Sequence, residues 1–342
     1  MKVQEVERHA EVREDAPDGH PVSAMAIFLL IVSALIFSTG GLFVREIEKP
    51  QAWTTVFWRS VSASLSLVIL IIWRERGAAM GVVRSIGRPG VAVAVAFSAS
   101  SIGMVVALTK TSVAIVLVIF SLSPLVAAVM AWLLIGERVR GYTWIAIAVT
   151  VLGVGYMVSG PDTGGFSTGA LIALVIPIAF GFGAVTIRRH SEISMAPAML
   201  LATIMSALIA LPFANPLAVT AHDLTVMLAF GFFQLGIGLT VFSLAAAKVP
   251  ATDVALIAML EPIMGPIWVW LRNDEYPGVA GLIGGSVVFV ALAVHTVYAS
   301  KRVAVVQPTT TIDGVDRPGT IDGVDRPGTI DRPGTIDRPG AM

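Results

Sequence analysis

The chain has 342 residues, 56% of them hydrophobic and only 13% charged, with a mean hydropathy of +0.83. Soluble domains carry about 25% charged residues, and a chain this poor in charge would expose large apolar patches in water, so a soluble globular fold is excluded. Lys+Arg and Asp+Glu number 23 each, which leaves no bulk charge for nucleic acid, and the lack of cysteine removes disulfides, thiolate nucleophiles and cysteine metal clusters.

Residues 1–23 include Glu5, Glu7, Glu11, Glu14, Asp15 and Asp18, unlike the basic start of a secretory signal, so the first apolar run is expected to stay as an anchor. About 20 apolar residues span a bilayer core about 30 Å thick. Ten segments qualify: Ala24–Val44, Ala52–Trp73, Pro89–Leu108, Ser112–Ile135, Tyr142–Val158, Thr168–Ile187, Ala196–Phe213, Leu224–Ala247, Thr252–Leu271 and Gly278–Ala299. With the N-terminus cytoplasmic, the cytoplasmic side holds Arg74, Arg76, Arg84, Arg88, Arg138, Arg140, Arg188, Arg189, Lys248, Lys301 and Arg302. The other side holds only Arg45, Lys49, Lys110 and Arg272, so both termini are expected inside. From Thr311 the chain reads TIDGVDRPG twice and TIDRPG twice; without an apolar face, residues 301–342 are expected to form a disordered low-complexity tail.

Sliding the sequence along itself by one fixed offset brings Lys110 onto Lys248, Pro124 onto Pro262, Trp132 onto Trp270 and Glu137 onto Glu275. A second, slightly longer offset brings Phe37 onto Phe180, Gly40 onto Gly183 and Arg45 onto Arg188, the difference being what a change in loop length would produce. The pattern predicts two five-helix repeats, 24–159 and 160–300. Five is odd, so the second enters the membrane upside down. Inverted repeats of this kind put a transporter's substrate site near midplane. The fold class expected is therefore all-α: a polytopic membrane protein of ten transmembrane helices as an inverted 5+5 repeat.

Two charges lie deep in these segments. Arg59 sits in Phe57-Trp58-Arg59-Ser60 and Glu261 in Met259-Leu260-Glu261-Pro262. Such charges cost at least about 2.5–3.5 kcal/mol to insert, so each must face the bundle interior, water or a partner. At about 1.5 Å per residue their levels differ by about 6 Å, close enough for an ion pair that fixes packing. The functional reading makes them substrate ligands, with Glu261 alternatively carrying a proton. Pro124 and Pro262 each remove a backbone donor and free a carbonyl, at Phe120 and Ala258, which makes them candidate gating kinks or static bends.

Uncharged polar residues at similar depth are Ser38, Thr39, Ser98, Ser100, Ser101, Ser121, Ser123, Gln234, Thr240 and Ser243. Serines mostly serve close packing, whereas the bulky amide of Gln234 needs partners. Trp132 and Trp270 read as interfacial anchors, while Trp268 could stack on a ligand. Gly281-xxx-Gly285 suits close helix contact, within the chain or in a homodimer. His295 and Glu137 read as structural or solvated.

Gly165-Phe166-Ser167-Thr168-Gly169 has the letters of a nucleophile elbow but lies in a loop before a membrane helix, with no histidine nearby, so an enzyme is not expected. No GxxxxGK[ST] loop is present, so the chain does not bind ATP for pumping, and no cofactor or metal is expected.

The five-plus-five arrangement, the dipeptides Ser123-Pro124 and Glu261-Pro262, and Ile135-Gly136-Glu137-Arg138 resemble the EamA-type carriers of the drug/metabolite transporter superfamily over about residues 24–300. Within it the chain is most similar to bacterial aromatic amino-acid exporters of the YddG type. The resemblance implies an inner (plasma) membrane carrier with a central cavity between the halves. The second half departs from the pattern at Arg272-Asn273-Asp274-Glu275, where Gly-Glu would mirror the first, and that departure is expected to affect gating on the outer side. The function expected is export of small metabolites, amino acids with aromatic or apolar side chains, by alternating access. Glu261 and the freed carbonyls would take an ammonium; Arg59, Gln234 or the hydroxyls of Ser38, Thr39 and Ser123 the carboxylate; Phe37, Phe97, Phe180 and Trp268 the side chain. A carrier of sugars or nucleotide sugars would want a strongly basic cavity. A channel would want rings of charge or carbonyl filters. A membrane scaffold would need no paired mid-helix prolines.

Overall fold

A computed structural model describes residues 24–75, 87–160, 167–190, 195–246, 248–249 and 251–305. The acidic stretch 1–23, the loop with Arg76 and Arg84, residues 161–166 and the repeated tail lie outside the described residues.

Among the described residues every regular element is helical. In chain order these are α1 (Ala24–Ser38), α2 (Gly40–Arg45), α3 (Ala52–Glu75), α4 (Gly87–Leu108), α5 (Val113–Phe120), α6 (Ser123–Ile135) and α7 (Gly141–Ser159). They are followed by α8 (Thr168–Ala173), α9 (Val175–Arg189), α10 (Met195–Ala210), a 3-10 turn Leu211–Phe213, α11 (Ala221–Ala229), a π-helical segment Phe230–Ile237, α12 (Gly238–Ala246), α13 (Ala251–Ala258), α14 (Leu260–Asn273) and α15 (Gly278–Val305). Among the described residues eight helical stretches are long and apolar enough to cross a membrane. Helices answer the need to satisfy every backbone N–H and C=O locally where no water is present. Leu152 and Leu271, 73% and 72% exposed, show the surface this leaves for lipid.

Two expected segments fall outside those eight. Ala196–Phe213 corresponds to a shorter apolar helix, Pro197–Phe213, and Thr252–Leu271 carries Asp253 and Glu261 and breaks at Met259. The last helix runs on to Val305, so residues 301–305, expected in the tail, continue α15.

Three breaks shape the interior. The first, at Thr39, separates α1 from α2; Ser38 and Thr39 turn their hydroxyls back onto the carbonyls of Leu35 and Ile36. The second, at Ser121–Leu122, precedes Pro124, and the third, at Met259, precedes Pro262. The second and third are related by the same offset in sequence as the prolines.

The packing is reciprocal. α4 lies on α9 and α10, while α12 and the π segment lie on α1 and α3; α6 lies on α9 and α14 on α1; α3 pairs with α10, α5 with α14 and α7 with α15. Gly153 and Gly284 bring α7 and α15 together, a Cβ on Gly284 falling 2.6 Å from the Gly153 carbonyl. Gly281 and Gly285 are buried against Met157 and Val118 of the same chain, so this glycine pair presents no face to a second copy.

Side-chain bonds tie the helix termini into two ends. Arg45 with Glu275, and Glu48 N–H with Asp223, join one end, here the Arg45 end. Arg188 with Glu137, and Thr143 with His295, join the other, the Arg188 end.

Candidate functional site

Where the breaks in α1–α2, α5–α6 and α13–α14 meet the π segment, the helices leave a cavity of about 400 Å³. Its wall contains Arg59, Gln234, Glu261, Ser123, Pro124 and Pro262, together with Phe37, Phe97 and Phe180. Ser38, Thr39 and Trp268 are not on that wall. Ser38 is 1% exposed and accepts a hydrogen bond from Trp268 Nε1 at 2.9 Å, which ties α14 to α1. Ser100, Ser101 and Ser121 do line the cavity, whereas Ser98 pairs with Ser206 at 3.0 Å and Thr240 bonds back to Gly236. The side chain of Ser243 lies outside the described residues.

Arg59, 5% exposed, donates from Nη1 to Ser101 Oγ at 2.7 Å and from Nη2 to Gln234 Oε1 at 3.2 Å. Its guanidinium lies 4.6 Å over the ring of Phe230, and its Nε is buried without a hydrogen-bond partner. Gln234 in turn donates from Nε2 to the Phe37 carbonyl at 3.1 Å. Phe230 and Gln234 both sit on the π segment where it packs on α3, and π turns are frequent at functional sites. Close approach there depends on Gly231, where a Cβ would stand 2.1 Å from the Arg59 carbonyl oxygen.

The expected ion pair between Arg59 and Glu261 is not formed. Among the described residues the ion pairs are Arg45–Glu275, Arg188–Glu137 and Arg272–Glu46, and neither Arg59 nor Glu261 belongs to one. The two charges share a wall as separate groups.

The proline breaks differ chemically. At the first, Ser123 donates to the Phe120 carbonyl at 2.5 Å, so that freed carbonyl is taken and does not await a ligand. At the second, Glu261 occupies the place of Ser123, and an ionised carboxylate only accepts.

Edge-to-face contacts of Phe97 and Phe120 with Phe180, at 5.2 and 5.6 Å between centroids, form an aromatic corner. The side chains of Phe120, Phe230 and Met199 were not singled out from the sequence. Apolar residues in apolar helices carry no local mark, so no signal distinguished them. The cavity reaches the Arg188 end, where Leu30, Phe242, Val254 and Thr296 line it.

The sequence profile of the EamA-like transporter family matches the chain twice, at residues 24–159 and 167–297. Among solved structures 19 chains match. One of them, described only as a protein crystal structure, has a TM-score of 0.60 at 17% identity, over 82% of this chain and 99% of its own. At that identity it supports the fold alone. No curated protein sequence matches.

Proposed function

Since the chain belongs to the EamA-like transporter family and is a multi-pass membrane protein, we propose that it exports amino acids with aromatic or apolar side chains by alternating access at the central cavity. The observation that carries this is the separated pair of charges: a cation and a carboxylate on one mainly apolar, aromatic wall, each without an ionic partner among the described residues. Such a wall complements a zwitterion with an apolar side chain, since an intramembrane charge needs an opposite charge or water. Arg59 and Gln234 would meet the carboxylate, Glu261 the ammonium, and Phe97, Phe120 and Phe180 the side chain. The carrier would have ten spans as an inverted 5+5 repeat, supported by the reciprocal packing and by helix breaks at equivalent places in the two halves.

Excess Arg and Lys assigns the Arg188 end to the cytoplasm. The cavity then opens where an exporter collects substrate. A sugar-nucleotide carrier would require several cations around the phosphates, and Arg59 is the cationic side chain on this wall.

The test is uptake of a panel of labelled amino acids into proteoliposomes, with and without a pH gradient. Saturable transport of phenylalanine or its like, competed by other large apolar amino acids, is the expected result. Transport of sugar nucleotides without amino acids would overturn the reading.

A further inference from the structure

Arg45 and Glu275 join the helix termini of the Arg45 end through a five-bond network. Arg45 Nε lies 2.5 Å from Glu275 Oε2, Nη1 donates to the Leu108 carbonyl at 2.7 Å, and Nη2 to the Thr111 carbonyl at 2.9 Å and to Glu275 Oε1 at 3.3 Å. Glu275 Oε1 also accepts from the N–H of Val113 at 2.9 Å. One ion pair thus joins the termini of α2, α4, α5 and α14. Behind it Val116, Ile119 and Val158 are 0, 2 and 3% exposed.

The sequence offsets place the same parts at the opposite end. Arg45 corresponds to Arg188 by the longer offset and Glu275 to Glu137 by the shorter, and these two residues also pair. Both glutamates follow a left-handed helix C-cap, Gly136 at φ 72° and Asp274 at φ 54°. The Asp274 departure therefore leaves the placement of the following glutamate unchanged. The second pair nevertheless stands in the open: its side chains are 58% and 57% exposed, against 25% and 24% for the first. Val254, Ile257 and Thr296, the counterparts of Val116, Ile119 and Val158, line the cavity instead of the core.

The two ends therefore show one ion pair in two conditions: shielded and anchored to helix termini at the Arg45 end, paired but exposed at the Arg188 end. We propose that Arg45–Glu275 and Arg188–Glu137 are a pair of alternating latches, each gathering the helix termini of its own end when that end closes. Opening of the Arg45 end would release Arg45 from Leu108 and Thr111. Arg188 would then engage the carbonyls of Ala246 and Val249, the counterparts of those two residues by the shorter offset, and Glu137 would accept from the N–H of Ala251. A charge-assisted network shielded from water favours its closed end, and two equivalent networks make the equilibrium bistable. The inference rests on the alternating-access reading above.

The native chain has no cysteine, so single reporters are unambiguous. Val116→Cys and Val254→Cys would be placed in the full chain in proteoliposomes and labelled with a membrane-impermeant maleimide added to each side in turn. Glu275→Gln, which keeps an acceptor for Val113 but loses the charge, should raise labelling of Val116→Cys by at least about threefold and lower that of Val254→Cys. Glu137→Gln should shift both reporters the other way. Opposite signs separate a latch from mere loss of folding. Should Glu275→Gln fail to insert, Arg45→Lys, which keeps the charge without the fork, should give a smaller shift of the same sign. No shift, or a shift of the same sign in both variants, would overturn the latches. Shifts as expected without amino-acid transport would leave the latches standing and sink the substrate reading, while transport with unmoved reporters would do the reverse.

Discussion

Ser123 and Glu261 stand at equivalent places beside a helix break, one in each half, and differ in what they can do there. Ser123 closes its own break by donating to Phe120, whereas Glu261 faces the cavity as an acceptor. A charge held on an apolar wall without a cation destabilises the protein, so removing it should not harm folding. Glu261→Gln is expected to retain or raise the melting temperature while transport falls about tenfold or more, roughly the 1.4 kcal/mol of one lost charge-assisted contact. Thermal unfolding in detergent and proteoliposome flux check it together; a collapse of stability would reveal a partner for the carboxylate. Asp274 poses the converse case. It is the non-glycine residue at positive φ among the described residues, and its side chain is exposed. Asp274→Gly should stabilise by about 0.5–1 kcal/mol, since glycine takes the left-handed region without steric cost. Melting should rise by about 1–2 °C.

The π segment Phe230–Ile237 is the element on which the site depends most. Phe230 and Gln234, four residues apart on one face, both meet Arg59 from this segment, and without Gly231 it could not lie so close on α3. Gly231→Ala drives a methyl into the Arg59 carbonyl, a backbone atom that cannot turn aside. It should cost about 1–3 kcal/mol and lower transport with it. Gly155→Ala on α7, where an added Cβ meets nothing within 4 Å, should stabilise by up to about 1 kcal/mol through helix propensity and serves as the control of opposite sign. Melting curves of the two variants compared with the parent decide this. Gly231 lies in the run Phe230-Gly231-Phe232-Phe233, which in sequence reads as one more apolar stretch of a membrane helix. A π turn has no composition of its own, and the close approach exists only once α3 is in place.

At the scale of the whole molecule the tail offers the simplest test. Deleting residues 306–342 should leave transport and melting unchanged, because the TIDRPG repeats lack an apolar face to pack; flux per inserted protein measures it. Apolar runs of membrane length by themselves determined that the chain is helical and inserted in a bilayer, since lipid admits few other solutions. The matched offsets between the halves likewise marked Pro124 with Pro262 as equivalent, and the structure breaks both helices there. Burial costs alone marked Arg59 and Glu261 as the charges needing an account. The tertiary structure decided everything that depends on distance between helices. It kept Arg59 and Glu261 unpaired, bonded Trp268 to Ser38 and Thr39 back onto Ile36, off the cavity wall, and buried Gly281 and Gly285 within one chain. It also made Arg45 and Glu275 a closed network while leaving Arg188 and Glu137 exposed. The physical reason is that hydropathy acts on each helix separately, whereas hydrogen bonds and ion pairs act over about 3 Å between residues up to 230 positions apart.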